Sequence, residues 1–285
     1  MDPDFAFARL DAVLDAWLTP PPAVAHDVRA GGRLPEPVTV ALRLPRTPLP
    51  SLPPRDDHPA WGAGAEAFAT VWEGDGPTVV LVHGWGGSAG IWSLWTGLLL
   101  RSGMRVVAID APAHGASPGA RASAPAIAGT LRAASKAVGP FDGAVAHSLG
   151  AIAATLAVAD GEPLRALVNL AACVHVDGTL RKTAEEHDLP AEAWGALRSR
   201  LQERFGDDIA LTTAMSRVPD PPRTLFLHDP ADPVMPYEEV VGAAKLWSDS
   251  ECLAVTGVGH ERILMSRSAL QAGLSHLERA LAQHP

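Results

Sequence analysis

The chain has 285 residues, 47% of them hydrophobic, with a mean hydropathy of +0.09, so it is long enough to bury a sizeable core as one α/β unit with an insertion. Its formal charge of −9 and pI near 5.6 argue against nucleic acid or an anionic membrane as partner, because both need a basic surface. The longest apolar run, Ile91 to Leu100, is about half a membrane span, which excludes a transmembrane helix.

At the amino terminus Leu10, Val13, Leu14, Trp17 and Leu18 recur at helical spacing, predicting an amphipathic helix over residues 4–18 that Pro20-Pro21-Pro22 stops. Its expected role is to pack on the body, since its aspartates do not suit a membrane surface. The proline-rich residues 44–60 are expected to cross the surface in extended form. The start of the chain lacks the basic region and apolar core of a secretion signal. Cys173 and Cys252 lack metal-ligand spacing and read as buried free thiols. Together these features predict a cytoplasmic protein.

Strands are expected at 38–44, 66–73, 78–83, 105–109, 141–146, 165–171, 223–228 and 250–255. Helices are expected at 90–102, 124–138, 148–160, 237–247 and 265–282. This alternation predicts a doubly wound, mostly parallel eight-stranded sheet of the α/β class. Functional groups would then gather at the carboxyl ends of the strands.

Four of those strand ends carry chemistry-bearing residues. The strand 78–83 runs into His83-Gly84-Trp85-Gly86-Gly87, a glycine-rich corner whose backbone could supply one oxyanion donor, at Trp85. Taken alone it is equally a plain strand-ending turn. Ala144-Val145-Ala146-His147-Ser148-Leu149-Gly150-Ala151 places a serine between an apolar strand and an alanine-rich helix, the pattern of a nucleophile elbow, with the Leu149 N–H as the second donor. Ala146 stands where that pattern has its first glycine, which predicts a tighter turn of the same kind. The competing reading of Ser148 is a simple helix N-cap.

The strand 223–228 leads into His228-Asp229-Pro230-Ala231-Asp232-Pro233, which offers Asp232 as the acid that would orient an imidazole, with Asp229 as the alternative. Lastly Gly257-Val258-Gly259-His260 places His260 after the final strand as the candidate general base. The chain order Ser148, Asp232, His260 sets this histidine apart from the other ten.

On these motifs residues 65 to 283 resemble the α/β-hydrolase superfamily, including its bacterial members of unassigned substrate. Asp110-Ala111-Pro112-Ala113-His114-Gly115-Ala116-Ser117 is similar to a D-x-P-G-H-G-x-S signature of that superfamily, with Ala113 replacing its first glycine. Its Asp110 and His114 look structural there. Ser148 occupies the position where haloalkane dehalogenases and soluble epoxide hydrolases carry aspartate, which argues against both. The resemblance implies a serine hydrolase acting through an acyl-enzyme and stops short of a substrate; a tryptophan near the oxyanion loop, with no cluster of cations to grip phosphate or carboxylate, points to a small or medium apolar carboxylic ester. The resemblance also implies Ser148, Asp232 and His260 as triad, Trp85 and Leu149 as oxyanion hole, and neither metal nor organic cofactor.

A thioesterase or a carbon–carbon bond hydrolase with the same triad stays open, as does a non-catalytic binding protein on the same fold. The partner is expected to be a small-molecule ester, and nothing in the sequence specifies an oligomeric state. The expected organisation is an N-terminal helix and extended segment (1–37), a core (38–175 and 221–285) and a small helical cap (176–220). In the cap, Leu189, Trp194, Leu197, Leu201 and Phe205 would form an apolar face that packs it onto the core. Trp92 and Trp95 read as core, and Trp85 as a candidate wall of the acyl pocket.

Overall fold

The computed structural model describes residues 3–21, 34–44, 66–205 and 209–282. The proline-rich segment expected to run extended lies outside them, apart from Leu44. Eight strands form one sheet: β1 (Val38–Arg43), β2 (Glu66–Trp72), β3 (Thr78–Val82), β4 (Arg105–Asp110), β5 (Gly143–His147), β6 (Ala166–Leu170), β7 (Arg223–His228) and β8 (Ser250–Ala254). Their order is β1-β2-β4-β3-β5-β6-β7-β8. The first two strands pair antiparallel, as do β2 and β4, and every later pairing is parallel.

The parallel strands are apolar on both faces because helices cover both. Every residue of β5 and of β6 is buried, whereas β8, an edge, alternates between half-buried and exposed. The covering helices are α2 (Ser93–Arg101), α3 (Ala124–Val138), α4 (Leu149–Ala159), α8 (Tyr237–Ala244) and α10 (Arg267–Leu281), and the chain begins with a further helix, α1 (Pro3–Trp17). Between β6 and β7 lies an insertion of three helices, α5 (Asp177–Glu186), α6 (Trp194–Phe205) and α7 (Leu211–Ser216). A single turn, α9 (Gly259–Arg262), precedes α10 and was not expected from the sequence.

Trp92 and Trp95 are fully buried, and a Cβ at Gly273 would lie 2.4 Å from the Trp95 ring, so a glycine is what lets α10 settle against α2. In the insertion Leu197 and Leu201 join the core, while Leu189 and Trp194 pack against it; the side chain of Phe205 lies outside the described residues. Helix α1 packs on α5 and α6, with Leu10, Val13, Leu14 and Leu18 buried. Both cysteines are free; Cys173 is buried, but Cys252 is only half-buried, because its strand is at the sheet edge.

The chain reverses its winding at β3, which sits between β4 and β5. Such a reversal opens a crevice at the carboxyl ends of the two adjacent strands. Here those ends are His83-Gly84-Trp85 and Ser148.

Candidate active site

Ser148 follows β5 directly, with φ 52° and ψ −119°, a conformation that costs a non-glycine residue on the order of 1–3 kcal/mol. Its neighbours hold it there: its N–H donates to the Leu170 carbonyl (3.0 Å), and its own carbonyl accepts from Ala151 (3.0 Å) and Cys173 (3.1 Å). The serine side chain makes no capping bond to α4, so the N-cap reading fails and the hydroxyl is left for other partners. A Cβ on Gly150 would come within 2.4 Å of the Val82 carbonyl, so this glycine is needed for α4 to approach β3. Ala146 meets no such obstacle; it is paired within β5 and buried in the core.

The structure brings the three sequence-selected side chains together. Ser148 Oγ lies 2.9 Å from His260 Nε2, and His260 Nδ1 lies 2.8 Å from Asp232 Oδ2. An ionised carboxylate can only accept, so Nδ1 carries the proton and Nε2 faces the hydroxyl with its lone pair. Asp232 Oδ1 accepts from the N–H groups of Val234 (2.7 Å) and Met235 (3.3 Å). Burial pushes the Asp232 carboxyl up, but the His260 and Val234 hydrogen bonds and the nearby imidazoles outweigh it, so it sits below the usual carboxylate range.

Asp229 has a different task. Its Oδ2 accepts from the N–H groups of Val258 and Gly259 (both 2.6 Å), and its Oδ1 accepts from Ala231 (2.9 Å). The Gly259 and Ala231 N–H groups hold it ionised and its pKa low. It therefore braces the loop that presents His260 without touching the imidazole. His147 provides a second brace, because its Nε2–H donates to the backbone carbonyl of His260 at 3.0 Å. Burial brings the His147 pKa down to about 4, which keeps it neutral.

The glycine-rich corner after β3 is fastened to the Asp110–Ser117 loop. His83 donates from Nδ1 to the Gly84 carbonyl (2.7 Å) and accepts the Ala111 N–H at Nε2 (3.1 Å). His114 accepts the Gly86 N–H at Nε2 (3.0 Å) and stands edge-on to the Trp85 ring, centroids 5.5 Å apart. The Asp110 carboxylate accepts from Ala89 (2.6 Å) and Ala116 (3.0 Å). Asp110 and His114 thus do structural work, and Ala113, at φ 62°, adopts the left-handed conformation that glycine would take more cheaply. A Cβ on Gly84 would fall 2.8 Å from the Ser148 Cβ, so the corner and the elbow are in van der Waals contact. Trp85 therefore leaves the corner beside Ser148, and Leu149 opens α4, where backbone N–H groups lack helical acceptors.

A cleft of about 560 Å³ opens at Ser148. Trp85, Leu149, Val176, Val234 and Met235 line it, as do residues of α5 and the end of α1. Leu197, Leu201 and Trp194 do not reach this cleft, in keeping with a packing role for that apolar face. Sequence reasoning missed three residues here. Trp17 reads as part of the core stripe of α1, His147 as an elbow spacer, and Asp229 as a rival acid.

Among the described residues, the group whose atoms could converge on a metal ion is His147, His260 and Glu261. Both ring nitrogens of His260 are engaged, with Ser148 and Asp232, so the group does not fit a resident metal. Among the described residues no helix is long and apolar enough to cross a membrane.

A family model described as the alpha/beta hydrolase family matches residues 79–272. No curated protein sequence matches. Among solved structures, an esterase of Pyrococcus furiosus superposes with a TM-score of 0.66 at 17% identity, covering 92% of this chain and 97% of its own. A thermophilic esterase of Thermogutta terrifontis gives 0.59 at 17% identity, over 86% of this chain and 99% of its own. An esterase of Exiguobacterium antarcticum gives 0.59 at 16% identity, over 75% and 96%. At these identities the likeness is one of fold.

Proposed function

Because the chain belongs to the alpha/beta hydrolase family, we propose that it is a serine hydrolase that cleaves a small or medium apolar carboxylic ester through an acyl-enzyme. The observation that supports this reading is the unbroken relay from Ser148 Oγ to His260 Nε2 (2.9 Å) and from His260 Nδ1 to Asp232 Oδ2 (2.8 Å). As Ser148 attacks the ester carbonyl, His260 takes the hydroxyl proton and then gives it to the departing alkoxide. Asp232 holds the imidazole in the right tautomer and stabilises its charged form. The Trp85 and Leu149 N–H groups serve as the oxyanion donors in this mechanism, the second aided by the amino end of α4. Water then attacks the acyl group with His260 again as base, and Ser148 is restored. The insertion acts as a cap, with α5 forming one side of the substrate cleft. The three superposed structures are those of esterases, in accord with an ester as substrate.

Cys173 is no rival nucleophile. Burial raises its thiol to about 12, and its Sγ–H donates to the His175 carbonyl at 3.1 Å. A fluorophosphonate should label the wild-type protein at Ser148 and leave the folded Ser148→Ala variant unlabelled. That variant should lose ester turnover by a factor on the order of 10⁶. Asp232→Asn should lower kcat roughly 10⁴-fold by favouring the wrong tautomer, with a smaller loss for Asp229→Asn. Residual turnover near the wild-type level in Ser148→Ala would remove the nucleophile assignment.

A further inference from the structure

One wall of the cleft comes from a part of the chain that the triad does not use. Ala16, Trp17, Thr19 and Pro21, at the end of α1 and in the turn beyond it, line the cleft together with Ser148 and Trp85. The Trp17 and Trp85 rings are near-parallel, 12° apart in plane, with centroids separated by 6.3 Å. Both are only half-buried, so a large, rigid aromatic surface stays open beside the nucleophile.

Each ring is tethered by a further neighbour. Trp17 Nε1–H donates to Thr179 Oγ1 (3.2 Å), which in turn donates to the Val176 carbonyl (3.0 Å). The Trp85 ring meets the His114 ring at 74° between their planes. Pro21 closes over the glycine-rich corner, where its Cγ would be 2.9 Å from a Cβ on Gly86. The α1 end is thereby locked over the corner that carries Trp85.

Two of the polar side chains that line the cleft have acidic neighbours. Lys182 lies 3.9 Å from Glu186, and His175 lies 2.5 Å from Glu239. The Lys182–Glu186 contact is largely exposed and screened by water, whereas the tryptophan faces beside Ser148 suit a neutral ring. Offset stacking on such a face adds about 0.5–1.5 kcal/mol beyond the apolar area it covers.

We propose that Trp17 is a specificity-determining residue, and that the ester taken by this site carries a planar aromatic group, in its acyl or alcohol part, that lies against the Trp17 and Trp85 rings. The proposal rests on the serine hydrolase reading, and it makes α1 a working part of the site.

The test compares matched aromatic and saturated esters. Benzyl acetate against cyclohexylmethyl acetate probes the alcohol side, and methyl phenylacetate against methyl cyclohexylacetate probes the acyl side. Wild type should prefer the aromatic member of at least one pair by kcat/KM. Trp17→Leu should cut that preference about tenfold, and Trp17→Phe should keep most of it. A preference that Trp17→Leu leaves unmoved, or an equal loss on both members of both pairs, overturns the assignment, the second by showing a merely structural wall.

Binding of phenylacetamide and cyclohexylacetamide to the Ser148→Ala protein, with and without Trp17→Leu, reads the ring site without turnover. Tighter binding of the aromatic amide that Trp17→Leu abolishes supports the proposal, and equal binding of the two amides overturns it. Failure of fluorophosphonate to label the wild-type protein would sink the hydrolase reading alone, since the amides test the ring site separately.

Discussion

Of four described residues that take a positive φ without glycine's freedom, two lie in the motifs of the site, Ser148 at φ 52° and Ala113 at φ 62°. At Ser148 the strain places a hydroxyl at the tip of a strand, facing the imidazole. Ala113 occupies a loop that only fastens the corner after β3, so its strain has no such purpose. Ala113→Gly should remove a left-handed penalty of about 1–2 kcal/mol while adding about 0.5–1 kcal/mol of unfolded-state entropy. The expected result is a small rise in melting temperature, about 1–3 °C, read by scanning calorimetry; a fall would contradict it. The sequence showed where glycine was replaced, but not which replacement would cost anything. Ala146 and Ala113 look like the same departure from a motif, yet Ala146 lies inside a strand and only Ala113 turns left-handed. The two aspartates after β7 are alike in this respect. Asp229 and Asp232 are three residues apart, and only the path of the 257–260 loop decides that one carboxylate meets backbone N–H groups and the other the imidazole.

Among the elements, α1 is held in two ways. Arg200 grips Asp11 through Nε (2.9 Å) and a terminal nitrogen (3.0 Å), Arg121 meets Asp15 at 2.8 Å, and Arg9 bonds the carbonyls of His187 and Asp188. Beneath these lie Leu10, Val13, Leu14 and Leu18. The Arg200–Asp11 pair is more than a third exposed on both sides, so water and salt screen it to at most about 1 kcal/mol. Leu14 is fully buried, and its truncation should cost about 2–5 kcal/mol. Urea denaturation should therefore show a much larger loss of stability for Leu14→Ala than for Arg200→Ala; the reverse order would mean that ion pairs anchor the helix. The apolar spacing of residues 10–18 was sufficient to predict this helix. Its destination was not legible, because α5 and α6 lie some 160 residues and more along the chain, and one Trp on an apolar stripe looks like any other. The single turn α9 escaped notice for a simpler reason: four residues are too few to show a period.

For the molecule as a whole, the sheet was legible because buried parallel strands such as β3 and β4 carry unbroken apolar runs, Val79–Val82 and Val106–Ile109. Strand order was not, because register and winding depend on contacts that no local pattern records. The same burial creates a pH liability. His83, His114 and His147 each have a pKa brought down to about 4 by burial, against an ordinary value of 6.5. Between those values the unfolded chain binds protons at these residues and the folded one does not, so their contribution is intact above pH 6.5 and is lost as pH falls toward 4. Each shift corresponds to roughly 3 kcal/mol, and the sum is smaller because His83 and His114 lie 4.8 Å apart and interact. Asp110 works in the opposite sense, since burial pushes its carboxyl up despite the Ala116 and Ala89 N–H groups. The urea midpoint should drop steeply between pH 6.5 and 4.5, and His147→Gln should make that drop shallower. A midpoint that stays level across the window would refute the linkage.

Pro21 resting on Gly86 has a practical corollary. The span recognised by the family model opens at residue 79, so trimming by homology would discard everything before β3 as dispensable. Such a shortened version would lose β1, β2 and the buried leucines of α1, and would leave β4 without its antiparallel neighbour, so its inactivity would say nothing about the serine.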